Sequence, residues 1–400
     1  MKSIFLSLIL ITLSLPAIWP IIEPGFFPTH DDTHVVRVDQ MYQALHSGQF
    51  PVRWVPDLGY GYGYPIFNFY NPLPYYFGAL FMLLGFTTLT ATKIMFVFPI
   101  IASGFTMYQL ARRFFSQLAA LAAAAFYVYA PYHAVQIYVR GSVAEYWAYA
   151  FIPLIIYALL ARRRFLAPLA IALLILSHNL TAMMFIPILG FLILFYGHKI
   201  RSITSILLGL GLSAFFWLPA LLEKDLTRVN DMVAYQFNAL EHFVFPNQLW
   251  SSVWGYGGSA PGRADGLSFM IGKLHIIFTL FSLWLIKFSQ KIKKSVQRFL
   301  LLAIGCLLLS IFMLLPLSSA IWHSLQPLSF IQFPWRWLTF IAFSTSILTG
   351  FVANQLFKAK ILVISGYALV VLFVFYSIKF FQPQFKFPAT SDDFLSDVQV

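Results

Sequence analysis

The feature that most constrains this chain is a succession of long apolar runs, each parted from the next by a polar or charged connection. A segment that crosses a bilayer needs about 20 largely apolar residues. Runs approaching that length occupy 3–22, 91–111, 117–132, 144–161, 165–180, 182–197, 202–222, 269–286, 299–316, 335–356 and 361–378. Of the 400 residues, 60% are hydrophobic and only 10% charged, whereas a soluble domain carries about 25% charged residues. A soluble chain of this size has more surface than so few polar side chains can cover. The single cysteine, Cys306, excludes a disulfide-stapled domain, and the apolar content excludes disorder. The expected class is an all-α polytopic integral membrane protein with about eleven transmembrane helices.

The first run follows Met1-Lys2, contains Pro16 and Pro20, and shows no small-x-small cleavage site, so it reads as an uncleaved anchor. Segment 72–86 (PLPYYFGALFMLLGF) is apolar but short, in the range of an interfacial or re-entrant helix. Charge decides its role. If it does not cross, Lys2, Arg112-Arg113, Arg162–Arg164, Lys199, Arg201, the 287–298 connection, Lys358 and Lys360 all share one side. That side holds fifteen of the 26 Lys and Arg residues, and all 14 acidic residues fall on the other. Basic loops stay in the cytoplasm, so the N-terminus is expected inside and the C-terminus outside the cytoplasmic membrane. The formal net charge of +12, which in a soluble protein would suggest nucleic acid, is then topological, and no nucleic-acid partner is expected.

The expected layout is a transmembrane module over 1–222 with a long first extracytoplasmic loop (23–90) carrying short interfacial helices. An extracytoplasmic loop (223–268), further helices (269–378) and an extracytoplasmic tail (379–400) follow, the tail being either short in itself or the start of another domain. Both long loops are rich in Gly, Pro, Tyr and Trp, the composition of packed rather than linker-like segments.

The densest chemistry is His30-Asp31-Asp32-Thr33-His34, just past the first run. Adjacent carboxylates can act as a general base, and Asp31, Asp32 and His34 could hold a divalent cation. The stretch after them, VVRVDQMYQALHSG, reads as a helix stopped at Gly48. Residues 50–76 alternate Gly and Tyr outside any strand–helix context, so they form no nucleotide fingerprint, and no nucleotide cofactor is expected. They suit a headgroup belt or a platform for sugar or isoprenoid, with Arg53 beside phosphate and Asp57 as a further carboxylate. Arg140 and Glu145, His178 and Asn179, and Arg336 between two tryptophans all lie at the ends of runs on the same expected face. Ionisable groups bordering hydrocarbon are costly and commonly functional. Structural ion pairs and polar turns are the plain alternatives. His275 and His323 read as structural.

Three stretches resemble the 6-pyruvoyl-tetrahydropterin synthase-related membrane protein family. They are HDDTHVVRVDQMYQALHSGQFPVRWVPDLGYGYGYPIFNFYNPLPYY, YVRGSVAEYWAYAFIPL and LSHNLTAMMF. The order of features, an anchor, acids in the first outer loop, a short surface helix and a run ending in Arg-Arg-Phe-Phe, resembles the GT-C membrane glycosyltransferases. No soluble fold or zinc-binding histidine trio for pterin chemistry accompanies the first resemblance.

The second implies transfer of a hexosyl or pentosyl unit from a polyprenyl-phosphate donor to an extracytoplasmic glycan, lipid or protein acceptor. Asp31 is then the first choice of base and Asp32 the second, with His30, His34, Arg53, Asp57, Arg140, Glu145, His178, Asn179 and Arg336 as substrate-binding candidates. A transporter or flippase of a lipid-linked or polyanionic substrate, and a non-catalytic assembly subunit, are the competing readings.

Overall fold

Apolar runs of this kind fold as helices because hydrocarbon offers no partner for backbone N–H and C=O groups, and a helix satisfies them within the segment. The computed structural model describes residues 2–196, 199–231, 238–289 and 292–395. Part of the 223–268 loop, Lys291 in the basic connection and the last residues of the tail lie outside the described residues.

The chain opens with α1 (Lys2–Ile22), then two short helices, α2 (His34–His46) and α3 (Leu73–Leu83). Next come α4 (Thr88–Arg112), α5 (Gln117–Val128), α6 (Val143–Leu160), α7 (Leu166–Ser177) and α8 (Asn179–Tyr196). The series closes with α9 (Lys199–Leu212), α10 (Ala214–Leu222), α11 (Lys273–Phe288), α12 (Lys294–Leu314), α13 (Leu338–Leu356) and α14 (Lys360–Ser377). Among the described residues, seven helices are long and apolar enough to cross a membrane, and up to nine if each of two bent pairs counts as one span. The remaining expected crossings, 165–180 and 269–286, coincide with α7 and α11, helices of 12 and 16 residues.

Two expected runs are broken rather than continuous. The run 117–132 stops at Val128, and Pro131, which disfavours helix at the residue before it, restarts the chain at 45°. The restart passes into a π-helical turn, Val135–Arg140, closed by Gly141 in the left-handed conformation (φ 63°). The run 202–222 bends by 71° between α9 and α10. There the Ser213 hydroxyl donates back to the Gly209 carbonyl at 2.9 Å and the Trp217 indole N–H donates to the Leu210 carbonyl at 2.9 Å, taking up carbonyls that a straight helix would use. Helix α3 has 11 residues, about 16 Å of length at 1.5 Å per residue, against a hydrocarbon layer of about 30 Å.

Helices α4, α5, α6 and α13 form the centre: α4 packs along α5 and α6, and α13 along α5, α11 and α12. Within their most apolar stretches α6 and α13 are 89% and 94% buried, whereas α1 and α14 are 33% and 28% buried and stay peripheral. The alanine run of α5 permits this closeness. A Cβ built on Gly350 of α13 would lie 3.0 Å from the Ala123 Cβ and 3.1 Å from the Ala119 carbonyl, so small residues set the separation.

The two ends of the bundle differ. At one, Arg113 donates to the Leu160 carbonyl at 2.8 Å, Phe114 stacks on Phe299 at 4.1 Å, and the Ser116 N–H meets Asn354 Oδ1 at 2.8 Å. This gathers the basic connections. At the other, Phe26 exchanges backbone bonds with Phe387, Lys386 pairs with Glu23 at 2.7 Å, and His30 Nε2 donates to the Tyr256 carbonyl at 2.9 Å. The tail therefore folds back over the first loop, and Phe394 packs edge-on against Phe26 at 5.7 Å.

Candidate functional site

The site is built where the first loop meets the π-helical turn. The His30 and Asp31 N–H groups donate to the Val139 and Arg140 carbonyls at 3.1 and 2.9 Å, and the Thr29 hydroxyl donates to the Asp31 carbonyl at 2.8 Å. Gly141 permits this approach: a Cβ there would strike the Thr29 side chain. The result leaves Asp31 partly buried and within electrostatic reach of Arg140, Arg37 and Arg336, while Asp32 next to it is exposed. Burial pushes the Asp31 carboxyl above the ordinary aspartate value, against the pull of Arg140, Arg37, Arg336 and His30.

Arg140 and Arg336 are held by one carboxylate. Glu145 Oε2 lies 2.7 Å from Arg140 and 3.4 Å from Arg336, and its side chain is 2% exposed. Its other oxygen accepts from the Tyr132 hydroxyl and the Gln136 amide, both at 2.8 Å. Both Glu145 oxygens are thus engaged by donors within the protein. Arg140 also lies over the Trp335 ring at 4.5 Å, and Arg336 donates to the Ile331 carbonyl at 3.0 Å. His178, whose Nδ1 accepts from the Thr181 hydroxyl at 2.7 Å, interacts electrostatically with Glu145, Arg336 and Arg140 and so shares this cluster. Asn179 adjoins it as the first residue of α8.

Arg37 was not among the site residues that the sequence suggested. It stands over the Tyr70 ring at 4.5 Å and donates to the Tyr75 hydroxyl at 3.4 Å. Although burial works against its charge, Tyr75, Tyr70 and Asp31 keep its pKa above the ordinary arginine value. The signal was helical spacing: His34 and Arg37, three apart on α2, share a face. Arg37, Arg140 and Arg336 all act on Asp31, and Arg140 and Arg336 also pair with Glu145, so three guanidiniums stand against two carboxylates here.

Other candidates lie elsewhere. His34 turns inward, its Nε2 donating to the Gly141 carbonyl and its Nδ1 accepting from the Tyr75 hydroxyl at 2.9 Å. It clamps α2 to the π-helical turn, and burial lowers its pKa to about 3. With both ring nitrogens used, it has no lone pair for a cation. Among the described residues no three His, Cys, Asp or Glu side chains gather as metal ligands. His34 thus offers no free nitrogen to a cation beside Asp31 and Asp32. Arg53 is exposed and reaches the Phe215 carbonyl at 3.4 Å, and Asp57 accepts from the buried Gln40 amide at 2.9 Å. Both lie outside the arginine cluster.

Solved structures of other proteins share this fold. Over 93% of its length the chain is similar to the oligosaccharyltransferase of Archaeoglobus fulgidus in the apo form, with a TM-score of 0.56 and 13% identity. Over 98% it is similar to the arabinofuranosyltransferase AftD from Mycobacteria, with a TM-score of 0.55 and 12% identity. It spans 55% of the first of those chains and 28% of the second. No curated protein sequence matches it. The model of the 6-pyruvoyl-tetrahydropterin synthase related domain, a membrane protein family, matches residues 67–382, and the chain belongs to that family.

Proposed function

We propose that this protein is a membrane glycosyltransferase that moves a sugar from a polyprenyl-phosphate donor to an acceptor hydroxyl at the extracytoplasmic surface. The eleven-span topology with a cytoplasmic N-terminus is part of that reading. The observation that carries it is Asp31 within electrostatic reach of Arg37, Arg140 and Arg336, the last two held by Glu145, at one end of the helices. A donor whose lipid stays in the bilayer presents its phosphate and sugar at such an end.

In this scheme Asp31 takes the proton of the acceptor hydroxyl. The hydroxyl oxygen bonds to the anomeric carbon as the bond from that carbon to the phosphate oxygen breaks, and the leaving phosphate keeps the electron pair. Three guanidiniums already held in place oppose the negative charge that develops there, which requires little reorganisation during reaction. Glu145 is the positioning residue for Arg140 and Arg336, and His178 borders the same pocket of charge. The gathering of these groups at helix ends supports surface chemistry over passage of substrate through the bundle.

The test is transfer in proteoliposomes supplied with a panel of polyprenyl-phosphate hexoses and pentoses. Asp31→Asn is expected to lose about 10²-fold or more of the rate, the usual contribution of a positioned base. Exposed Asp32→Asn should stay near the parent. Undiminished transfer by Asp31→Asn would remove Asp31 as the base.

A further inference from the structure

Apart from the arginine cluster, a pocket of about 180 Å³ opens between the first turn of α11 and the last turn of α14. Its lining contains two lysines, Lys273 and Lys379, and no carboxylate. Each ammonium lies over aromatic rings. Lys273 is 5.8 Å from the Trp250 ring centre, and Lys379 is 4.2 Å from that of Tyr376. Behind the wall, Phe373 of α14 stacks on Phe126 of α5 at 3.7 Å and His275 of α11 donates to the Phe126 carbonyl at 2.9 Å. No residue of this lining belongs to the Asp31 site.

Leading away from the pocket, both helices carry exposed apolar stripes at helical spacing: Ile277, Leu280 and Trp284 on α11, and Leu369, Leu372 and Tyr376 on α14. A paired positive charge with an aromatic collar at the head of two lipid-facing stripes matches a phosphate attached to hydrocarbon tails. We propose that the pocket binds the phosphate of an anionic membrane phospholipid, with its acyl chains lying along α11 and α14. The charge favours an anion, and the stripes favour a lipid over a free phosphate.

The detergent-purified full chain provides the test, with bound lipid read by native mass spectrometry after titration with phosphatidylglycerol or phosphatidylcholine. The parent should retain phosphatidylglycerol in preference to phosphatidylcholine. Lys273→Gln and Lys379→Gln should each weaken that retention about fivefold, and the double variant more, with unchanged elution and thermal midpoint. Asp31→Asn should retain phosphatidylglycerol as the parent does, so failure of the proposed transfer reaction would leave this result standing. Equal retention by the folded double variant would overturn the proposal. So would displacement of the lipid by millimolar inorganic phosphate, which would mark a free-anion site, and so would stronger retention of a polyprenyl phosphate than of phosphatidylglycerol.

Discussion

The backbone N–H of Asp31 donates to the carbonyl of Arg140 across 2.9 Å, so the proposed base and one of its guanidiniums are tied by the same backbone contact. Arg140 ends the π-helical turn and Gly141 follows it with a φ of 63°.

Gly141→Ala is expected to disturb this contact more than the global fold. A non-glycine residue at that φ costs roughly 1 kcal/mol, and the new Cβ would collide with Thr29. Transfer activity should fall at least tenfold while the thermal midpoint moves by only a few degrees. Parental activity in Gly141→Ala would show that the register of the first loop does not matter.

Glu145→Gln removes the charge that holds Arg140 and Arg336. Breaking a buried pair from one side leaves unpaired charge and typically costs 3–5 kcal/mol, roughly. The measurable outcome is a large drop in the thermal midpoint in detergent. A midpoint equal to the parent's would mean that the pairs contribute nothing to stability.

His34 is neutral in the folded chain, because burial lowers its pKa from 6.5 to about 3. Between those values the unfolded state takes up a proton that the folded state refuses, so this group's stabilisation is present above pH 6.5 and lost as pH falls toward 3. Its contribution to the slope approaches about 1.4 kcal/mol per pH unit. His34→Gln, which can still donate to Gly141, should give a shallower acid dependence of the thermal midpoint than the parent. Identical slopes would refute the assignment.

The proposed topology predicts where impermeant maleimides react. In a Cys306→Ser background, Leu84→Cys and Asp32→Cys, both at exposed positions, should label from the extracytoplasmic side. Arg163→Cys, also exposed, should label only after the membrane is opened. Labelling of Leu84→Cys from the cytoplasmic side would require segment 72–86 to cross.

The helical class and the location of most helices were legible in the sequence, because burial in hydrocarbon imposes length and apolarity on each segment independently. Helix α2 and its stop at Gly48 were legible for a similar reason, since periodicity and a left-handed glycine are local signals. The acids of the first loop and the arginines at 140 and 336 stood out because charge beside long apolar runs is conspicuous. The sequence did not show which of them meet. Both oxygens of Glu145 and both ring nitrogens of His34 have partners within the protein, which spacing alone does not reveal. Arg37 passed as an ordinary helix residue, and Arg53 and Asp57 have other partners, the Phe215 carbonyl and the Gln40 amide. Side-chain partners separated by a hundred or more positions depend on how α2, the π-helical turn and the start of α13 are brought together. Composition and local periodicity determine each helix alone, while packing among helices determines whether a buried polar atom is satisfied by the protein or left for a substrate.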